Sequence, residues 1–169
     1  MTPEKRGKIS ARAQGNQSDM KAEMLMVGWR EWVTFPVFDH KRVEVKVDTG
    51  ARTSALLVSH IEASHMHGVE VVSFYLKIPG ETTIGEKYTH VIHAQRKVRS
   101  PNGRSELRYF IRVPVLQGKR EWLIELSLTT ARRGMGYAML LGRQAMANRL
   151  VVHPGKSHLL LGSNSPNQP

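Results

Sequence analysis

The chain has 169 residues, 25 Lys and Arg against 14 Asp and Glu, a net charge of +11 and no cysteine. This length suits one domain with one hydrophobic core. The lack of cysteine excludes disulfides and thiolate metal ligands. No apolar run is long enough to span a membrane and the N-terminus lacks a signal-type apolar segment, so we predict a cytoplasmic protein without membrane contact. The positive charge permits binding of acidic substrates or of nucleic acid.

The domain organisation follows from where polar composition gives way to apolar patterns. We predict a disordered basic tail over residues 1–24, a folded domain over 25–162 and a frayed C-terminus over 163–169. Residues 27–37 carry Trp29, Trp32 and Phe35 before Pro36, which indicates a strand that ends at a sheet edge.

The most informative strand of the chain covers residues 43–47, where valines alternate with charged residues. It leads directly into Asp48, Thr49 and Gly50. Thr49 can hold a loop through side-chain hydrogen bonds to the backbone, and Gly50 permits a sharp turn. The pattern predicts a carboxylate held rigidly at the end of a strand. An ordinary turn is the alternative, because these residue types are common in turns.

Histidines in residues 59–68 raise the question of a metal site, since His60, His65 and His67 lie close together. No third ligand at a recognisable spacing follows them, and the chain has no His-Glu-x-x-His helix. His90 and His93 have the spacing of a helical pair, but residues 88–98 have the composition of a strand. We therefore predict a polar loop over residues 59–68 and no bound metal.

The remaining elements are mostly strands joined by tight turns. We predict strands over residues 69–78, 86–98, 106–116, 120–130, 138–141, 150–152 and 156–161, a basic loop over 131–136 and a short helix that Asn148 ends. Gly155-Lys156-Ser157 is a partial match to a phosphate-binding loop, but Leu150 stands where its first glycine belongs, so we predict no ATP site and no cofactor. Many short strands with one short helix predict an all-β, closed barrel.

Five separated segments resemble the retropepsin-like aspartic proteases, and most closely the bacterial branch often labelled putative ATP-dependent zinc protease. The segments are Gly28–Trp32, Val47–Leu56, Val98–Gly103, Ser105–Arg108 and Met139–Arg143. The resemblance covers about residues 27–161. It implies a small closed acid-protease barrel with one short helix after Gly142.

The resemblance implies an aspartic endopeptidase that cleaves a peptide or protein substrate. Aspartic proteolysis uses two carboxylates that share one proton, of which the charged one activates water and the neutral one donates to the peptide carbonyl. The chain has one Asp-Thr-Gly, since Asp39 has other neighbours and Asp19 lies in the tail. We therefore expect a homodimer in which Asp48 meets its symmetry mate.

The same resemblance suggests roles for eight residues. Those expected to be catalytic are Asp48, Thr49 and Gly50, and those expected to bind substrate are Ala51, Arg52, Arg99, Asn102 and Gly103. A lid is expected at residues 99–104 or at 79–85. Arg52 is expected to lower the pKa of the carboxylate pair, to bind an acidic substrate side chain, or to lie on the surface.

Two other functions stay open. One is the zinc-dependent peptidase that the label of this branch implies, although the sequence shows no metal motif. The other is a non-enzymatic basic barrel that binds nucleic acid. It is less favoured because the aromatic residues are not interleaved with Lys and Arg along the sequence.

Overall fold

The computed structural model describes residues 23–99, 103, 105–130 and 136–160. The predicted basic tail, apart from its last two residues, lies outside the described residues, as does the predicted frayed C-terminus over 163–169. Most of the predicted loop over 131–136 also lies outside them. The predicted domain limits at residues 25 and 162 therefore stay predictions.

The described part of the chain forms eleven strands and one short helix. The strands are β1 (Leu25–Gly28), β2 (Arg30–Phe35), β3 (Lys41–Val47), β4 (Ser54–Met66), β5 (Val69–Leu76), β6 (Lys87–Val91), β7 (Ala94–Arg99), β8 (Ser105–Gln117), β9 (Arg120–Thr129), β10 (Met139–Leu141) and β11 (Leu150–His153). The helix α1 (Arg143–Met146) lies between β10 and β11.

Six of these strands close into a barrel. Their order is β10, β3, β2, β8, β9, β4, and β4 pairs back with β10. The parallel pairing of β10 with β3 places Leu141 beside Val47, and its antiparallel pairing with β4 places Met139 beside Leu56. The prediction of an all-β, closed barrel with one short helix after Gly142 is confirmed.

The interior of the barrel follows the period of two in its strands. In β3, Val43, Val45 and Val47 are buried, while Glu44 and Lys46 between them are more exposed. Alternating side chains of a strand point to opposite faces, so the valines form the core and the charges face outward. The largest buried side chains include Phe35, Phe38, Phe74 and Phe110.

A buried carboxyl group joins the N-terminal and C-terminal parts of the domain. Glu31 is 1% exposed, and its Oε1 accepts hydrogen bonds from the backbone N–H of Gly28 and of Leu159, each at 2.7 Å. We call these three residues the Glu31 junction. A Cβ on Gly28 would lie 2.4 Å from the carbonyl oxygen of Lys156, so only glycine fits there. Residues 156–160 therefore pack tightly on the barrel. They form no regular strand, which differs from the strand predicted over residues 156–161.

Two other stretches differ from their predictions. The predicted polar loop over residues 59–68 is largely strand, because β4 continues to Met66 and pairs with β5. The predicted strand over 86–98 is divided into β6 and β7. The N–H of Ile92 donates to the carbonyl oxygen of Glu70 in β5, whereas the N–H of the next residue, His93, donates to the carbonyl oxygen of Phe110 in β8. The chain thus changes partner strand at these two residues.

Within the described ranges, no three His, Asp or Glu side chains are grouped in a way that could hold a metal ion. In the same ranges, no helix is long and apolar enough to cross a membrane.

Candidate functional site

The loop after β3 holds the side chain of Asp48 in one orientation. Its Oδ1 accepts hydrogen bonds from Gly50 N–H at 2.9 Å and from Ala51 N–H at 3.2 Å. The backbone N–H of Asp48 donates to the carbonyl oxygen of Leu141 at 2.9 Å. The carboxyl group is only partly buried. A partly exposed acid whose direction is set by its own loop can interact with a molecule outside the chain.

Residues that follow β10 brace this loop from behind. The Arg143 guanidinium donates from Nη1 to the carbonyl oxygens of Thr49 at 2.9 Å and Gly50 at 3.0 Å, and its backbone N–H bonds to Ala51 O at 2.9 Å. Gly142 N–H donates to the hydroxyl of Ser54 at 3.0 Å. These bonds connect the Asp48 loop rigidly to the barrel.

A cavity of about 510 Å³ lies beside the Asp48 loop, and we call it the cationic cavity. Its lining comes from the loop, from α1 and from strands β7, β8 and β9: Arg52, Thr53, Arg96, Lys97, Val98, Phe110, Arg112, Glu125 and Gln144. Four cationic side chains thus face one acidic side chain. A concave surface of one predominant charge concentrates ligands of the opposite charge, here anions.

The single acid of the cationic cavity is paired with one of its cations. Arg96 contacts Glu125 through two bonds of 2.7 Å, Nη1 to Oε1 and Nη2 to Oε2, and its guanidinium lies 4.3 Å from the ring of Phe110. The Nε2 atom of His93 lies 3.3 Å from Oε2 of the same carboxylate. The hydrogen bonds between the two side chains lower the pKa of Glu125 and raise the pKa of Arg96.

The other three cations of the cavity remain available. In the part of the chain that the structure describes, Arg52, Lys97 and Arg112 form no ion pair within 4.0 Å. All three are exposed, and Arg112 lies directly across the β8–β9 ladder from Glu125. The cavity therefore presents unpaired positive charge from three separate elements.

The structure brings together only part of the predicted site. Residues 48–52 form one loop, and Arg52 is, among the described residues, the one predicted substrate-binding residue in the lining of the cationic cavity. Arg99 ends β7 and Gly103 is exposed, while Asn102 lies outside the described residues. The catalytic assignment of Asp48, Thr49 and Gly50 stays a prediction, because a single chain contains one copy of this loop. The substrate-binding assignments stay predictions too.

Sequence reasoning missed Arg96, Arg112 and Glu125. Two of them carry a detectable signal, because each is a charged residue flanked on both sides by apolar residues within a strand. Arg112 stands between Ile111 and Val113, and Glu125 between Ile124 and Leu126. Such charges indicate a strand face that is neither part of the hydrophobic core nor fully exposed to solvent. Their meeting with Arg96 depends on strand pairing, which the sequence does not display.

Comparison with known proteins identifies a family and several relatives. The family model RimB-like, described as retropepsin-like aspartic endopeptidase RimB, matches residues 26–160. A "Probable alpha-L-glutamate ligase" of Shewanella pealeana is 37% identical over 83% of this chain and 31% of its own length. Another of that name, from Desulfotalea psychrophila, is 36% identical over 76% of this chain and 28% of its own length. This chain thus spans less than a third of the length of the curated relatives it matches.

A solved structure shares the fold. The crystal structure of Lpg0085, a Legionella pneumophila protein of unknown function, superposes with a TM-score of 0.66 and 23% sequence identity, over 80% of this chain and 97% of that one. At this level of identity the likeness concerns the fold alone.

These comparisons confirm one prediction and overturn another. The predicted resemblance to retropepsin-like proteins is confirmed by the family match over residues 26–160. The predicted activity, an aspartic endopeptidase and hence a hydrolase, is wrong, because four curated relatives at 36–37% identity are named as ligases. The resemblance of the Asp48 loop implies a peptidase activity, and the names of these four relatives do not include it.

Proposed function

We propose, from the premise that this chain belongs to the RimB-like family, that it binds glutamate-bearing peptides as part of α-L-glutamate ligation. The observation that carries this proposal is the cationic cavity, with four cationic side chains and one acid beside the Asp48 loop. The name of the curated relatives supports it, because it describes them as ligases of α-L-glutamate. The proposed role is recognition of the acidic chain.

The charges of the cavity suit such a ligand. An α-linked glutamate chain has one carboxylate on every side chain and a further one at its C-terminus. Arginine binds carboxylates through two parallel hydrogen bonds, which favours Arg52 and Arg112 as contacts, while Lys97 contributes a point charge. A volume of about 510 Å³ lies within the range of ligand pockets and accommodates a short peptide segment.

The cations are also held on supports of low mobility. Arg112 stands on the barrel strand β8, and Lys97 stands on β7, which pairs with β8 along six registered residue pairs. Arg52 follows directly on the loop that Arg143 braces. A site whose backbone is already ordered loses less conformational entropy when it binds than a site on a disordered segment.

Four predictions from the sequence keep the status of proposals. A peptide or protein partner is part of the function proposed here, and its acidic character is now specified. A homodimer and a cytoplasmic location stay predictions, and nucleic acid stays a possible but not favoured partner.

The proposal is tested by binding of a labelled peptide that ends in three α-linked glutamates, with the same peptide ending in three glutamines as comparison. We expect the glutamate peptide alone to bind, with an affinity that falls as salt concentration rises, because opposite charges are screened. Arg112→Gln should weaken binding about fivefold, the effect of about 1 kcal/mol from one charged hydrogen bond.

The matched control is Lys77→Gln, which removes an exposed cation outside the cavity lining. It should leave the affinity nearly unchanged. Equal binding of both peptides, or equal losses in the Arg112 and Lys77 variants, would contradict the proposal.

A further inference from the structure

The Glu125 side chain already occupies part of the cationic cavity in the way a ligand carboxylate would. Both of its oxygens accept bonds of 2.7 Å from the two terminal nitrogens of Arg96, the parallel geometry that arginine forms with carboxylates. The side chain of Glu125 is 17% exposed and that of Arg96 is 43% exposed, so both can be reached from the cavity. Arg96 is thus the cation of the cavity that is already neutralised.

We propose that Glu125 is an internal competitor, which a carboxylate of the bound peptide displaces from Arg96. This inference rests on the proposed function, because it concerns how the same cavity selects its acidic ligand. A ligand carboxylate on Arg96 replaces one pair of hydrogen bonds with an equivalent pair. The exchange alone therefore contributes little net affinity.

The surroundings of Glu125 give it other partners once it is displaced. His93 Nε2 lies 3.3 Å from its Oε2, and Arg112 lies across the strand pair from it. A buried or half-buried carboxylate without any partner would make displacement unfavourable. These two neighbours remove that obstacle, so the side chain can exchange between two positions within the same cavity.

The consequence is selectivity for ligands with several carboxylates. A single carboxylate gains little on Arg96, because it must first displace Glu125. Further carboxylates of the same chain gain fully on Arg52 and Lys97, which form no ion pair in the described part of the structure and are not partners of the displaced Glu125. Free glutamate and a peptide that ends in one glutamate have two carboxylates each, so only one remains for the unpaired cations after Glu125 is displaced. A peptide with consecutive glutamates supplies more, and Glu125 therefore favours it.

The test compares Glu125→Gln with Glu121→Gln, which removes an equal charge from an exposed position of the same strand. The ligands are peptides that end in one or in three α-linked glutamates. In Glu125→Gln we expect the affinity for the single-glutamate peptide to rise about fivefold and for the triple-glutamate peptide to rise less, so that selectivity falls. Glu121→Gln should raise both affinities slightly and equally, through net charge alone.

Two outcomes separate this inference from the function it rests on. If the wild-type chain fails to bind the triple-glutamate peptide, both are rejected. If it binds but Glu125→Gln gains no more than Glu121→Gln, or loses affinity, only the competitor role is rejected. Should Glu125→Gln fail to fold, the ring ¹⁵N resonances of His93 in the wild-type chain decide: they should shift on saturation with the triple-glutamate peptide, and unshifted resonances would overturn the inference.

Discussion

Glu31 and Asp48 use the same local arrangement, in which one carboxyl oxygen accepts two backbone N–H groups, in opposite settings. Glu31 is 1% exposed and bonds to Leu159, which lies 128 positions further along the chain. Asp48 is partly exposed, and in the described structure its Oδ1 accepts bonds from its own loop, at Gly50 and Ala51. Bonds between distant segments thus hold the fold together, whereas bonds within one loop fix the orientation of one side chain.

The comparison predicts its largest effect at Glu31. Glu31→Ala leaves the N–H groups of Gly28 and Leu159 buried without an acceptor, and each such loss is unfavourable by 1–3 kcal/mol, so unfolding free energy should fall by about 3 kcal/mol. Urea denaturation measures this. Glu31→Gln is the control, because an amide oxygen can still accept both bonds, and it should lose clearly less. Equal losses in the two variants would mean that Glu31 acts through packing alone.

A smaller loss is expected where the barrel meets the Asp48 loop. A Cβ on Gly142 would lie 2.5 Å from the backbone carbon of Thr53, so Gly142→Ala should force the backbone apart and lower stability by about 2 kcal/mol. Because Thr53 lines the cationic cavity, affinity for the triple-glutamate peptide should fall as well. Gly85→Ala is the control, since no atom lies within 4 Å of its added Cβ. Unchanged thermal stability in Gly142→Ala would refute this account.

Arg143→Ala should affect the loop more than the whole fold. It removes two hydrogen bonds to the carbonyls of Thr49 and Gly50, and partly exposed bonds of this kind contribute about 1 kcal/mol in total. Hydrogen exchange at the amides of Gly50 and Ala51 should therefore become about fivefold faster, while exchange in the barrel strands stays unchanged. Uniform acceleration throughout the domain would indicate instead that Arg143 supports the global fold.

The pairing of Glu125 with Arg96 predicts a modest dependence of stability on pH. Arg96 lowers the pKa of Glu125 in the folded state, so the stabilisation is present above the unfolded-state pKa and is lost as pH falls through the folded-state pKa. Because Arg96 is 43% exposed, we expect no more than about 0.5 kcal/mol. Acid titration of the unfolding free energy measures it. The dependence should shrink in Glu125→Gln and persist in Glu121→Gln.

The smallest effect is expected at Asp48 itself. Asp48→Asn retains the oxygen that accepts from Gly50 and Ala51, so the unfolding free energy should change by less than about 0.5 kcal/mol. The comparison with Glu31 fails if this variant is as damaging as Glu31→Ala. Calorimetric unfolding of both variants under one set of conditions provides the measurement.

Local patterns predicted much of the fold. The alternation of valines with charges correctly indicated β3, and Asn148, with φ of 61°, ends the short helix as its residue type suggested. The polar composition of residues 59–68 hid the second half of β4, because its backbone is satisfied by pairing with β5 rather than by apolar burial.

The cationic cavity was beyond the reach of local patterns. Arg96 and Glu125 are 29 residues apart, and each belongs to a strand whose neighbours only the sheet order reveals. Arg52, by contrast, is a binding-site candidate in the sequence alone, because it follows the Asp48 loop directly. Activity was mispredicted for a related reason: the loop motif reports the fold of the barrel, whereas chemistry depends on what the whole polypeptide brings to the site.

The parallel pairing of β1 with β11 has a consequence for how this domain is combined with others. Leu25 and Leu150 are neighbours in that pair, and Gly28 and Leu159 both donate to Glu31, so the two ends of the described chain lie close together. A domain of this kind can be fused to a larger enzyme through a single point of attachment, with its six closed strands undisturbed. That geometry is compatible with proteins in which equivalent sequence makes up less than a third of the length.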